Sequence, residues 1–139
     1  MEGAAHRSGP LLWVLHLGYG WLVVALILKA AALPSGATIA GKWLHAFTVG
    51  TVGTMTLAVM SRAALGHSGR PLAAPWPMPL AYLAISGAAI ARVFGPPLSP
   101  DGYDQVIAGA GCLWITAFAI YLWIYAPILL LPRHDGKLG

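Results

Sequence analysis

The sequence has few charged residues, few acids and a single cysteine, and each shortage excludes a class of protein. Of its 139 residues 9% are charged and 58% are hydrophobic, whereas a typical soluble domain carries about 25% charged residues. So few charges cannot cover the surface of a soluble fold. The lone Cys112 excludes an internal disulfide and any paired-cysteine metal or redox motif. The composition therefore predicts an integral membrane protein.

The polar residues are also too few and too scattered for several kinds of chemistry. The four acids all lie in tails, in loops or at the end of an apolar run, so no paired carboxylates are available for acid–base catalysis. A Ser-His-Asp set and a phosphate-binding glycine loop are missing as well. The Lys and Arg residues are scattered singly and form no basic patch that could follow a phosphate backbone. We therefore predict no catalytic side chain and no nucleic-acid partner, and we expect the lipid bilayer to be the main partner.

Four long apolar runs are present, and a membrane-spanning helix needs about 20 mainly apolar residues. We expect spans at about residues 11–33, 43–65, 78–94 and 103–131, separated by turns that contain proline and glycine. Pro127 should kink or end the last helix. Because the connections are short, neighbouring helices should be antiparallel. The predicted fold is all-α, with a single membrane domain over residues 1–139 built as an integral membrane four-helix bundle.

Small residues inside these runs indicate how the helices pack. In lipid no hydrophobic force brings helices together, so close backbone approach at small residues does this work. Gly50 and Gly53 lie on the second run and should therefore face another helix.

The distribution of cations predicts the orientation of the chain. With four spans, the termini and the middle loop share one side of the membrane. That side holds five cations, Arg7, Arg62, Arg70, Arg133 and Lys137, and the other holds three, Lys29, Lys42 and Arg92. The positive-inside rule then places both termini in the cytoplasm and the turns at Ser35 and Pro100 outside.

Three histidines are the strongest candidates for chemistry. His16, His45 and His67 lie within the apolar runs or at their ends, where an ionisable residue is a functional-site hypothesis by default. Imidazole binds both haem iron and copper, although each histidine could instead hydrogen-bond a neighbouring helix. His45 and His67 are 22 residues apart, which is ~33 Å along a helix, so they cannot bind the same metal. The histidines therefore indicate two sites, or sites that other chains complete.

The tract from Gly66 to Pro71 is the most distinctive loop, because two glycines surround His67 and Arg70 follows. Arg70 or Arg62 could hold a ligand carboxylate such as a haem propionate, which would make His67 the first candidate for a haem ligand. The alternative interpretation is a helix stop with positive-inside arginines. Met55 and Met60 could ligate copper as thioethers or could simply pack.

The segment from Trp43 to Leu72 has the sequence WLHAFTVGTVGTMTLAVMSRAALGHSGRPL. It resembles the signature of the NnrS family, which has a histidine, a Thr-Val-Gly run, Gly-Thr-Met, an arginine and then Gly-His-Thr-Gly-Arg-Pro. Ser68 stands here in place of that threonine. The resemblance extends to Leu15–Tyr19 and to the end of the chain at Tyr125–Arg133, so it covers nearly the whole sequence. Family members are longer, and the chain resembles their C-terminal third.

The resemblance implies a haem- and copper-containing protein of the bacterial inner membrane, in nitric oxide stress response or electron transfer. It implies haem b and/or copper as cofactors and makes His16, His45 and His67 the metal-ligand candidates. The cofactor-binding candidates are then His16, His67, Arg62 and Arg70. Ligands that longer members supply from earlier helices would have to come from a homo-oligomer or a larger membrane complex. The alternative is a non-catalytic accessory subunit that packs against a respiratory or photosynthetic complex and binds no metal.

Overall fold

The computed structural model describes residues 9–35, 37–98 and 101–132. The described elements are α1 (Gly9–Ser35), α2 (Ala37–His45), a π-helical segment (Ala46–Gly53), α3 (Thr54–His67), α4 (Met78–Leu98) and α5 (Tyr103–Leu130). Four residues used to predict the orientation, Arg7, Pro100, Arg133 and Lys137, lie outside the described residues.

Four helices in the described part of the chain are long and apolar enough to cross a membrane, which confirms the all-α membrane fold. They cover Leu11–Pro34, Gly41–His67, Met78–Leu98 and Tyr103–Leu130, and we call them the first to fourth spans. The second span joins the end of α2, the π-helical segment and α3 without a break. The third span continues through Pro96 and Pro97 to Leu98, and the fourth continues past Pro127 to Leu130.

The second and third spans occupy the centre of the bundle. In each of them 44% of the most apolar stretch is buried, compared with 28% in the first span and 17% in the fourth. The first span packs mainly on the second, and α5 packs mainly on α4. The first and fourth spans therefore lie on opposite flanks and present most of their apolar side chains outward, as a lipid environment requires.

The π-helical segment arises where the sequence is rich in β-branched residues. Thr48, Val49, Thr51 and Val52 all lie in it, and such residues crowd an α-helix. The Thr48 hydroxyl also donates a hydrogen bond to the Leu44 carbonyl at 2.8 Å and so competes with the backbone ladder. Wider turns of this kind are rare and frequently occur at functional sites.

Both glycines of this segment face another helix, as predicted. A Cβ atom added to Gly50 would lie 2.6 Å from the indole of Trp21, and one added to Gly53 would lie 3.2 Å from Ile85. Trp21 is buried and belongs to the first span, whereas Ile85 belongs to the third. The two glycines thus hold three spans in close contact.

The tract from Gly66 to Pro71 forms a helix stop of the Schellman type. The Arg70 amide donates to the Leu65 carbonyl at 3.0 Å, and the Gly69 amide donates to the Gly66 carbonyl at 3.3 Å. Gly69 has a φ of 68°, a left-handed conformation that glycine adopts without steric cost. The spacing of glycines around His67 therefore has a structural reason in the end of α3.

Candidate functional site

The three candidate histidines line three separate cavities. His16 lines a cavity of about 380 Å³, His45 one of about 270 Å³ and His67 one of about 190 Å³, and these cavities share no lining residue. Within the described ranges, no three His, Cys, Asp or Glu side chains form a group that could hold a metal ion. A zinc-type site needs several such ligands, whereas haem iron can be held by a single histidine.

His16 lies beside an apolar groove between α1 and α4. Its Nδ1 atom lies 2.9 Å from the Leu12 carbonyl one turn earlier, so Nδ1 is the ring nitrogen that carries the proton in this contact. The Nε2 atom is then left with its lone pair. The groove is lined by Leu17, Gly20, Trp21, Val24, Ser86, Ile90 and Phe94. The buried Trp21 is fixed by a hydrogen bond from its Nε1 atom to the Ser86 hydroxyl at 3.2 Å.

His67 is exposed at the end of α3 and lines the smallest of the three cavities. Met60 and Tyr121 line the same cavity, so a thioether and a phenol lie near the imidazole. Arg62 and Arg70 line none of the three histidine cavities. Arg70 is half-buried, and its Nε atom is buried without a hydrogen-bond partner.

His45 shares its cavity with a cation that the sequence analysis treated only as a loop charge. Arg92 lines the cavity and its charge acts on the imidazole of His45. The other lining residues are Thr48, Val49, Ala88, Ala110, Gly111 and Trp114. The π-helical segment contributes Thr48 and Val49 to this wall. The described lining residues include no carboxylate.

Comparison with known proteins identifies the chain. The profile of the family described as NnrS protein matches residues 1–133. The chain belongs to the NnrS family. No curated protein and no solved structure matches it. The NnrS signature from Trp43 to Leu72 covers the π-helical segment, all of α3 and the helix stop that follows it.

A buried group of hydroxyls in this NnrS chain was not predicted. Ser61, Tyr82 and Tyr125 are completely buried in the main core cluster, and Ser61 lies beside both phenols. The Ser61 hydroxyl donates to the Leu57 carbonyl at 2.7 Å, whereas the Tyr82 and Tyr125 hydroxyls have no partner within hydrogen-bond distance. Sequence patterns gave no signal for this group, because its members come from three different spans.

Aromatic contacts extend from this group in two directions. The Trp13 ring, on the first span near His16, packs edge-on against Tyr82 with 5.9 Å between ring centroids. Tyr125 stacks on Tyr121 with 4.8 Å between ring centroids. Tyr121 in turn lines the cavity of His67. Trp13–Tyr82 and Tyr121–Tyr125 are therefore two separate aromatic pairs, and the buried Ser61 lies beside one ring of each.

The sequence did contain a signal for Arg92. This residue lies inside the predicted third span, and an arginine within a span usually faces the bundle or a cavity and marks a site. Gly111 and Ala110 line the same cavity, but the sequence could not show that they lie near Arg92, because this depends on how α4 and α5 pack.

Proposed function

We propose that this NnrS protein binds a b-type haem through His16 and acts in the nitric oxide response or in electron transfer. The observation that carries the proposal is the contact of the His16 Nδ1 atom with the Leu12 carbonyl, beside an apolar groove. Histidines that ligate metals commonly donate their second ring nitrogen to a carbonyl, which fixes the tautomer and the ring orientation.

The groove favours His16 over the other two histidines. Ligand pockets usually have volumes of about 300–1,000 Å³. Of the three histidine cavities, that of His16, at about 380 Å³, is the one within this range. Its aromatic and aliphatic wall suits a flat apolar group, and Gly20 leaves the wall open because a Cβ there would meet nothing within 4 Å. Both His16 and His67 are exposed, but the cavity beside His67 is smaller.

The residues around His16 would orient the group and exclude water from one face of it. Haem would supply an iron atom that binds diatomic gases or exchanges one electron. Trp21, held by Ser86, forms a rigid part of the wall. The aromatic pairs Trp13–Tyr82 and Tyr121–Tyr125 lie in the core between His16 and His67, which favours the electron-transfer form of the proposal.

The absorption spectrum of purified protein tests the haem proposal. We expect a Soret band in the unaltered protein and its loss in His16→Ala, because the iron then has no imidazole from this groove. His67→Ala is the matched control and should keep the band. A wild-type spectrum in His16→Ala together with a lost band in His67→Ala would assign the haem to the loop instead.

The same measurement separates the accessory-subunit alternative. The sparse burial of α5 favours that alternative, because it leaves an apolar surface that a larger complex could cover. A protein that folds without a Soret band, contains no metal and is stable only with partner subunits would support it and contradict the haem proposal.

For copper, the best donors are His67 and Met60. Both line one cavity, and an imidazole with a thioether is a donor pair that suits copper(I). A second copy of the chain would have to supply a further soft or imidazole ligand.

We also propose that both termini lie in the cytoplasm of the bacterial inner membrane. Alkaline phosphatase is active only outside the cytoplasm, so a fusion after Ala74 in the middle loop should be inactive. A fusion after Gly102, in the turn between the third and fourth spans, should be active. Without the terminal cations the count would be two, Arg62 and Arg70, against three on the other side, and would favour the opposite orientation. The terminal cations Arg7, Arg133 and Lys137 raise the count to five against three and carry the proposal. The reverse pattern of activities would invert the topology.

A further inference from the structure

The cavity of His45 and Arg92 combines positive charge, apolar walls and unfilled space inside the bundle. Arg92 lies six residues before the end of α4 and His45 four residues after the start of the second span. These positions place their backbones ~9 Å and ~6 Å from the helix ends. The cavity therefore opens just below one surface of the membrane.

Charge is the first argument for a ligand. A guanidinium and an imidazole line one cavity at partly buried positions near the end of the spans, and cationic charge in a span is costly unless an anion neutralises it. The described lining residues offer no carboxylate, and the acids nearest in sequence to this end of the bundle, Asp101 and Asp104, are exposed in or next to the α4–α5 turn. The same charge opposes a metal cation at His45.

The shape of the cavity is the second argument. Ala88, Ala110 and Gly111 leave about 270 Å³ of space between α4, α5 and the π-helical segment. A small inorganic ion would not fill such a volume. Trp114, which is 43% exposed, and Val49 provide apolar surface next to the cations. An occupant with an anionic head and an apolar body matches both parts.

Further cations at the same end of the bundle add to the positive potential. Lys29 lies over the Trp43 ring, with its Nζ atom 4.8 Å from the ring centroid, and Lys42 is the residue before Trp43. Together these cations favour an anionic group at this end of the bundle.

We propose that the His45–Arg92 cavity binds the oxyanion head, phosphate or carboxylate, of an amphipathic ligand. Arg92 donates the paired N–H groups that suit two oxygens of such a head, and Trp114 and Val49 contact the apolar part. An anionic phospholipid and a free oxyanion share this head chemistry. The proposal is independent of the haem groove, because the two cavities share no residue.

Native mass spectrometry of the delipidated protein in neutral detergent tests the proposal. Phosphatidylglycerol and phosphatidylcholine with the same acyl chains serve as probes, and inorganic phosphate is tested separately by thermal stabilisation. We expect phosphatidylglycerol to be retained in preference to phosphatidylcholine. Stabilisation by inorganic phosphate without retention of phosphatidylglycerol would support the oxyanion contact with Arg92 but would overturn the amphipathic part of the proposal.

Two variants remove the site by different routes. Arg92→Gln removes the charge, and Gly111→Leu fills the cavity at a position where an added Cβ meets nothing within 4 Å. Arg92→Gln should weaken retention at least ~10-fold, which corresponds to the loss of a charged hydrogen bond. Gly111→Leu should weaken retention by a similar factor, because its side chain occupies the space that the ligand needs. Gly109→Leu is the control. Gly109 lies exposed on the same helix and lines none of the three histidine cavities. A Cβ added to Gly109 meets nothing within 4 Å, as at Gly111. Arg92→Lys should be intermediate.

Two further results would overturn the proposal. The first is that both Arg92→Gln and Gly111→Leu bind phosphatidylglycerol and phosphate as well as the unaltered protein does. The other is stoichiometric binding of Zn²⁺ or copper that His45→Ala abolishes, since that would make His45 a metal ligand. Far-UV circular dichroism checks that each variant is folded. If Arg92→Gln does not fold, lipid retention by Gly111→Leu is the test, because this variant leaves the Arg92 charge in place.

Discussion

Replacing Gly20 by leucine should prevent binding of the proposed haem while leaving the helix bundle intact. Gly20 lies one turn after His16 on the same face of α1 and lines the same groove. A Cβ at this position meets nothing within 4 Å, so the backbone accepts a side chain without strain. The leucine side chain would then occupy the space beside Nε2 that the proposed haem needs.

The measurement is the ratio of Soret absorbance to protein absorbance after purification, with helicity and thermal stability recorded in parallel. Gly109→Leu places the same side chain on another open helical position, outside the groove, and should retain the full ratio. Stability in Gly20→Leu should stay level or rise, because glycine in a helix costs ~0.5–1 kcal/mol relative to alanine. An unchanged Soret ratio in Gly20→Leu would mean that the groove does not hold the haem.

The fold could be predicted from the sequence because a membrane simplifies the problem. Apolar runs of sufficient length must be helices in lipid, since every backbone polar group needs an internal partner. The four spans follow from this rule alone. The order in which the spans pack does not follow from it. Apolar residues surround each helix, so no polar face indicates which side contacts another helix. The central position of the second and third spans becomes visible only from burial.

The candidate site could be predicted only as far as the identity of single residues. His16, His45 and His67 stand out because ionisable groups are rare in lipid. Which side chains accompany them depends on contacts between spans, such as that of α4 with the π-helical segment. Arg92 therefore entered the count of loop charges, although it shares a cavity with His45.

The segment from Trp43 to Leu72 contains one part with a structural reason and one part that lines a proposed site. Gly69 and Arg70 close the end of α3 through their backbone amides, so the spacing of the loop reflects a helix stop. The Thr-Val-Gly run forms the π-helical segment, where Gly50 admits Trp21 and Thr48 lines the cationic cavity. A sequence motif does not say whether a residue serves the fold or a site. The contacts of the residue in the structure distinguish these two roles.

Replacing Gly50 by alanine should destabilise the bundle more than the same change at Gly18, Gly53 or Gly109. The added Cβ would lie 2.6–2.7 Å from three indole atoms of Trp21, which is buried and held by Ser86. A rigid ring cannot yield as the end of a flexible chain can. Forcing extra atoms into a packed core costs ~1–3 kcal/mol, and the first and second spans would have to separate locally. Gly50→Leu should prevent assembly.

A graded series makes the cause of this loss measurable. Gly18→Ala meets only the flexible Met55 side chain at 2.9 Å, and Gly53→Ala meets Ile85 at 3.2 Å, so both should be milder. Gly109→Ala meets nothing within 4 Å and should be neutral or stabilising. Thermal unfolding in detergent gives the order, and equal midpoints for Gly50→Ala and Gly109→Ala would contradict it. Trp21 also lines the His16 groove, so Gly50→Ala should perturb the Soret band of the proposed haem. Gly18→Ala should leave that band unchanged, because its added Cβ meets only Met55, which lies outside the groove.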